Sequence, residues 1–211
     1  IETPQDRFLN EIKKSYPTYI IKRSYPILSD LRMIKNDTEV DLIQKACDIT
    51  EKGFRRVLNY IKPNIWEYDI EAEFIHEFIK NKSKGFAYQP IIASGINACS
   101  LHYNTNNSVC KSGDLILMDV AAEYSNYKSD MTRTIPVDGK FTKRQLEIYN
   151  AVLNVKNKAT NILRPGITIN EYHKEVGKIM ESELIEIKLL DKHDVKKQNP
   201  KNPLFKKYFM H

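Results

Sequence analysis

From Ile43 onward, side chains of one face return every three or four residues: Ile43, Cys47, Thr50, Phe54, Val57, Leu58 and Ile61. That period predicts a long amphipathic helix. Asn36 followed by Glu39 has the spacing of a capping box for its start. Pro63, which has no amide proton to donate, stops it. A second helix carries Ile70, Phe74, Ile75, Phe78 and Ile79 on one face and ends near Gly85. A third starts at Thr142 with Gln145 three residues on, and Arg164-Pro165-Gly166 breaks it. A fourth starts at Thr168 with Glu171 in the same relation and is expected to reach about Leu190.

Between the second and third helices the pattern changes to that of strands. Residues 86–93 are apolar and aromatic, and Ser94-Gly95 turns the chain. Leu115-Ile116-Leu117-Met118 is a short continuous apolar run, as expected of a buried strand. A further strand is expected over residues 127–137, closed by Asp138-Gly139. Residues 1–30 are irregular in pattern and read as a remnant or linker from a preceding domain. Residues 191–209 are basic and read as a loop. One echo stands out: Ile61-Lys62-Pro63-Asn64-Ile65 resembles Leu163-Arg164-Pro165-Gly166-Ile167, and both join two helices. It suggests an internal duplication of a helix pair.

Two aspartates offer the sharpest chemistry. Asp119 ends the apolar run, and Asp130 lies on the next strand. A hairpin turning at Tyr124-Ser125 would set the two directly opposite one another, where partners lie about 4.5–5.5 Å apart at Cα. Carboxylates that close repel, and a divalent cation removes the penalty. The spacing leaves open the plainer alternative, in which one Asp is a turn residue and the other pairs with Arg133 or Lys128. His102, between two strands, is a second candidate, again with an ordinary surface role left open. His76, His173 and His193 read as surface.

Composition narrows the classes. Hydrophobic residues are 41% and charged residues 28% of 211, the balance of a globular chain rather than a disordered one. No apolar run approaches the roughly 18 residues of a membrane span, so no membrane role is expected. The net charge of +6 is spread out, without a phosphate loop or zinc-finger spacing, so no nucleic-acid partner is expected. Three cysteines with no C-x-x-C pair fit the reducing cytoplasm.

The run from Gly85-Phe86-Ala87-Tyr88-Gln89-Pro90 to Gly95, then Leu101-His102-Tyr103, then Asp119-x-x-Ala122-Glu123-Tyr124-x-x-Tyr127-x-Ser129-Asp130-x-Thr132-Arg133-Thr134, resembles the aminopeptidase P branch of the pita-bread metallopeptidases. Tyr208-Phe209-Met210-His211 resembles the run-in to that family's His-Gly-x-Ser-His motif. The resemblance covers roughly residues 31–211. It implies an α/β (α+β) pita-bread catalytic domain whose second half is incomplete. It also implies hydrolysis of an N-terminal residue from peptides with proline in second position, using two divalent ions, commonly Mn²⁺. On it, Asp119 and Asp130 match two metal ligands, while His102 and His211 match histidines that contact substrate. The remaining His and Glu ligands would fall beyond His211, so the chain alone is expected to be inactive. An exposed strand edge could then promote homo-oligomers. A methionine aminopeptidase, or a non-catalytic module of the same fold, remains the alternative. Val120-Ala121 departs mildly from the family's usual Ala-Gly.

Overall fold

A computed structural model describes residues 2–209. Its elements are α1 (Pro4–Ser15), α2 (Tyr25–Met33), α3 (Asp37–Tyr60), α4 (Glu67–Lys80), β1 (Gly85–Phe86), β2 (Ile91–Ser94), β3 (Leu115–Asp119), β4 (Ala122–Tyr124), β5 (Tyr127–Lys128), β6 (Thr132–Pro136), α5 (Lys143–Ile162), α6 (Ile169–Glu186) and α7 (Lys192–Lys197). The capping boxes at Asn36–Glu39, Thr142–Gln145 and Thr168–Glu171 all form. Each cap side chain satisfies an amide that the helix leaves unpaired.

The helix-pair echo has a structural counterpart. Tyr60 and Glu67 bound the α3–α4 joint, and Ile162 and Ile169, each 102 positions on, bound the α5–α6 joint. Asn64 (φ 70°) and Gly166 (φ 90°) occupy the left-handed region at matching places after a proline. Positive φ following Pro is the geometry of a type II turn, so the two joints solve one turning problem alike.

All strand pairings are antiparallel, in two short sheets of order β1-β4-β5 and β2-β3-β6. The main core lies between α3, α4 and these strands. Ile49, Phe54, Val57, Ile70, Phe74 and Phe78 meet Ile92, Ile116, Met118 and Val120. Phe54 and Phe74 pack edge to face at 5.0 Å between centroids, and Phe78 packs likewise on Phe86 at 5.5 Å. A smaller cluster, Ala151, Leu184 and Ile187, joins α5 to α6.

Several expectations need correction. The described part of residues 1–30, from residue 2, is largely helical rather than irregular: α1 forms behind a Thr3–Asp6 capping box with proline at its start, and α2 follows. Neither helix has a buried residue, so their apolar positions show no core-facing stripe. The fourth helix stops at Glu186, short of Leu190. The tail contains α7, capped by Asp191, and a 3₁₀ turn at Leu204–Lys207, where a loop was expected. The strands expected over residues 86–93 and 127–137 are each interrupted, at residues 87–90 and 129–131.

Candidate metal centre

The interruptions fall at one level. Between β3 and β4 the ladder also breaks, at Val120-Ala121. Single backbone bonds stitch the gap: Ala87 N–H to Ala121 O (2.7 Å), Val120 N–H to Met131 O (3.0 Å) and Ser129 N–H to Ala122 O (3.3 Å). Tyr88, Asp119 and Asp130 all sit at this break. Side chains alternate faces along a strand. Along β3, Ile116 and Met118 are buried against the helices while Leu115, Leu117 and Asp119 are only half-buried. The candidate site therefore opens on the sheet face turned away from the main core.

Asp119 pairs with Thr132, not with Asp130 as the expected hairpin had it. Across the same hairpin Tyr124 pairs with Tyr127. The turn is Ser125-Asn126, and both residues have positive φ, 50° and 67°. A two-residue turn with left-handed backbone at both positions matches the twist of the flanking strands and suits Asn, whereas Tyr at such a position is disfavoured. The partner strand is shifted by two residues, so parity is kept and both carboxylates stay on one face. Their relation is diagonal.

Tyr88 brings them together. Its hydroxyl is 2.5 Å from Asp119 Oδ1 and 3.1 Å from Asp130 Oδ1. One phenolic proton thus serves two carboxylates, and the two oxygens can be no further apart than the sum of those distances. Burial first, then the hydrogen bond and charge of Asp119 and the charge of Asp130, push the Tyr88 phenol above its ordinary range. Neither carboxylate forms a salt bridge with Arg133 or Lys128 among the described residues. The plainer alternative left open by the spacing is thereby removed.

A buried hydroxyl pair fixes the break from the helix side. Thr50 Oγ1 accepts the Ala122 N–H (2.8 Å) and lies 2.7 Å from Ser129 Oγ. Ser129 Oγ also lies 3.0 Å from Ala122 O and 3.2 Å from Ala46 O. These bonds tie α3 to the residue immediately before Asp130. The sequence placed Thr50 on a helix face and Tyr88 and Ser129 within the family-like motif but assigned none of them a role at the site, since each acts through a contact distant along the chain.

His102 sits at positive φ (53°) on an exposed loop. Its side chain makes no hydrogen bond among the described residues, so the structure does not join it to the aspartates. His76, His173 and His193 are exposed, as read. His211 lies outside the described residues. Among those described, no group of three or more His, Cys, Asp and Glu side chains is placed to hold an ion. The donor set present is two carboxylates and a phenol. These are hard oxygen donors, which suit Mg²⁺ or Mn²⁺ better than a thiophilic metal.

One helix pair packed on two short antiparallel sheets, with an oxygen-donor pair at a strand break and a second helix pair following, is an arrangement this chain shares with solved metallopeptidases of the pita-bread kind. The chain belongs to metallopeptidase family M24, whose profile matches residues 41–211. Among its relatives, the Xaa-Pro aminopeptidase of Haemophilus influenzae is 39% identical over 165 residues, covering 78% of this chain and 38% of that protein. The Xaa-Pro aminopeptidase of Escherichia coli is 37% identical over 182 residues, covering 85% and 41%. Proline aminopeptidase P II from Yersinia pestis superposes with a TM-score of 0.74 at 37% identity, over 77% of this chain and 37% of that one. Zinc-substituted E. coli aminopeptidase P in complex with product gives 0.81 at 33% identity, over 90% and 46%. The chain spans about two fifths of the length of the curated relatives it matches.

Proposed function

We propose that this chain serves a metal-dependent aminopeptidase that releases the N-terminal residue from peptides with proline in second position. The observation that carries the proposal is the convergence of Asp119 and Asp130 on one hydroxyl, on the open face of the sheet. Two carboxylates held that close, with no salt bridge to either among the described residues, are poised for a divalent ion. Family membership and the Xaa-Pro aminopeptidase relatives support the same reading. They do not favour the methionine aminopeptidase alternative, and the retained carboxylate pair does not favour a non-catalytic module.

In this proposal Asp119 and Asp130 hold the metal, with Mn²⁺ as the proposed ion on the family resemblance, and the two carboxylates are hard oxygen donors that suit it. A bound divalent ion lowers the pKa of a water and polarises a carbonyl. Tyr88 orients the two carboxylates by sharing its proton between them. His102, exposed and unbonded, presents its imidazole to the substrate, and His211 is assigned to the same pocket. The further ligands that complete the site are placed beyond His211. The domain is taken to begin near residue 31, with residues 1–30 as a link to a preceding unit. A cytoplasmic setting is part of the proposal, supported by three free cysteines.

The test is made on the intact gene product. Metal content is measured by mass spectrometry beside hydrolysis of an Xaa-Pro peptide and its Xaa-Ala counterpart. The proposal expects bound Mn²⁺ and cleavage of the first peptide only. Metal-replete protein that leaves the Xaa-Pro peptide intact would overturn it. Self-association is proposed as well: β6 lies at the edge of its sheet beside an apolar groove of about 500 Å³ reaching Phe141 and Val152. Light scattering of the 211-residue chain should show oligomers, and a clean monomer at all concentrations would count against this.

A further inference from the structure

We infer that Glu67 is the positioning residue for His102, holding the loop that carries the imidazole by means of a buried carboxylate whose charge is met by hydrogen-bond donors of that loop. The inference rests on the reading of His102 as a substrate-contacting residue. Glu67 is the first residue of α4 and is fully buried. A buried carboxylate is costly unless its charge is met. No Lys or Arg pairs with it among the described residues. Hydrogen bonds meet the charge instead. Oε1 accepts from Ser94 N–H (2.7 Å), Ser94 O–H (2.7 Å) and Asn97 Nδ2 (3.2 Å). Oε2 accepts from Tyr103 O–H (2.7 Å) and Ser108 N–H (3.0 Å).

Every donor belongs to a single excursion of the chain. Ser94 ends β2, Asn97 lies in the 3₁₀ turn Gly95–Cys99, Tyr103 follows His102 directly, and Ser108 precedes the bridge between Val109 and Trp66. Asn97 Nδ2 also reaches Tyr103 Oη (3.1 Å) and Ser108 Oγ (2.9 Å), which closes the ring. The apex of the excursion, Leu101-His102, is exposed. His102 adopts a left-handed backbone, φ 53°. A non-glycine residue there is strained and persists only when its surroundings hold it. Tyr103, locked on Glu67, is the adjacent restraint. Burial raises the Glu67 pKa, but the bonds from Ser94, Tyr103 and Ser108 outweigh it and the net shift is downward.

The charge matters, not only the shape. Each carboxylate oxygen faces one backbone N–H, from Ser94 or from Ser108. In Glu67→Gln, either orientation of the amide turns its NH₂ toward one of these donors and leaves that N–H without an acceptor. Tyr103→Phe is the milder variant, deleting the two bonds its hydroxyl makes in the ring, to Glu67 Oε2 and from Asn97 Nδ2. Two readouts are needed. In the 211-residue chain, amide exchange of residues 95–108 and the His102 ring signals are followed by NMR. Both variants should speed exchange across residues 100–108 by about tenfold or more, with α3 and α4 unchanged. The His102 signals should shift toward averaged values. In the metal-loaded gene product, Tyr103→Phe should lower kcat on an Xaa-Pro peptide by about 10- to 100-fold with KM nearly constant. Added to His102→Ala, it should cost nothing more. Unchanged loop exchange in Tyr103→Phe, or a loss that adds in full to that of His102→Ala, would overturn the inference. If the wild type cleaves no Xaa-Pro peptide, the functional reading fails, while the exchange data still decide whether Glu67 orders the loop.

Discussion

Thr50→Val removes one oxygen from the interior and keeps the side-chain volume, so its cost can be worked from bonds alone. Thr50 and Ala122 are both fully buried. Without the hydroxyl the Ala122 N–H has no acceptor, and an orphaned buried donor costs about 1–3 kcal/mol. The bond to Ser129 is lost as well, worth about 0.5–1.5 kcal/mol. The sum is about 1.5–4.5 kcal/mol, a large share of the ~5–15 kcal/mol that holds a typical domain. Ser129→Ala is the control. It removes a hydroxyl that faces Thr50 and two carbonyls but strands no backbone donor, so about 0.5–1.5 kcal/mol is expected. Urea unfolding followed by circular dichroism measures both. With a slope of about 2–3 kcal/mol per molar, Thr50→Val should lower the midpoint by about 1 M and Ser129→Ala by less than half of that. The double variant should fall short of the sum, because the two hydroxyls share a bond. Equal losses in the two single variants would refute the reasoning that the Ala122 amide dominates.

Tyr88 yields a pH prediction. Its folded-state pKa is raised above the unfolded value of about 10. The stability it contributes is therefore fully present below pH ~10 and is lost as pH rises further. Stability measured between pH 9 and 11 should fall more steeply in the wild type than in Tyr88→Phe, and identical slopes would contradict the assignment. Gly53→Ala would place a Cβ 2.7 Å from Phe78 Cε1 and 2.9 Å from Phe74 Cδ1. Both rings are fully buried, so overpacking of about 1–3 kcal/mol should exceed the ~1 kcal/mol gained in helix propensity. A calorimetric Tm lower by a few degrees is expected, and a raised Tm would show that the rings yield freely.

Local signals proved readable where the physics is local. The caps at Asn36, Thr142 and Thr168 depend on a residue and its neighbour three positions on, and each formed where its spacing put it. The proline joints were readable for the same reason, and their shared left-handed turn residue extends the echo into backbone geometry. The face shared by Asp119 and Asp130 was also legible, since parity survives a shift of two residues. The register itself was not, because Ser125-Asn126 competes with Tyr124-Ser125 as a turn, and the left-handed preference of Asn decided it. Tyr88 and Glu67 were opaque for a different reason. Tyr88 acts on residues 31 and 42 positions away. Glu67 occupies an ordinary acidic place at a helix start, and only the fold wraps five donors around it.

A divalent ion seated between Asp119 and Asp130 is the central requirement of the proposed activity. Mn²⁺ titrated into the ¹⁵N-labelled chain reports this directly, because a bound paramagnetic ion broadens nearby amide signals. The account predicts broadening centred on residues 88, 119–120 and 130–131, abolished by Asp119→Asn and by Asp130→Asn. Broadening scattered over the surface acids, or a central site indifferent to both substitutions, would contradict it.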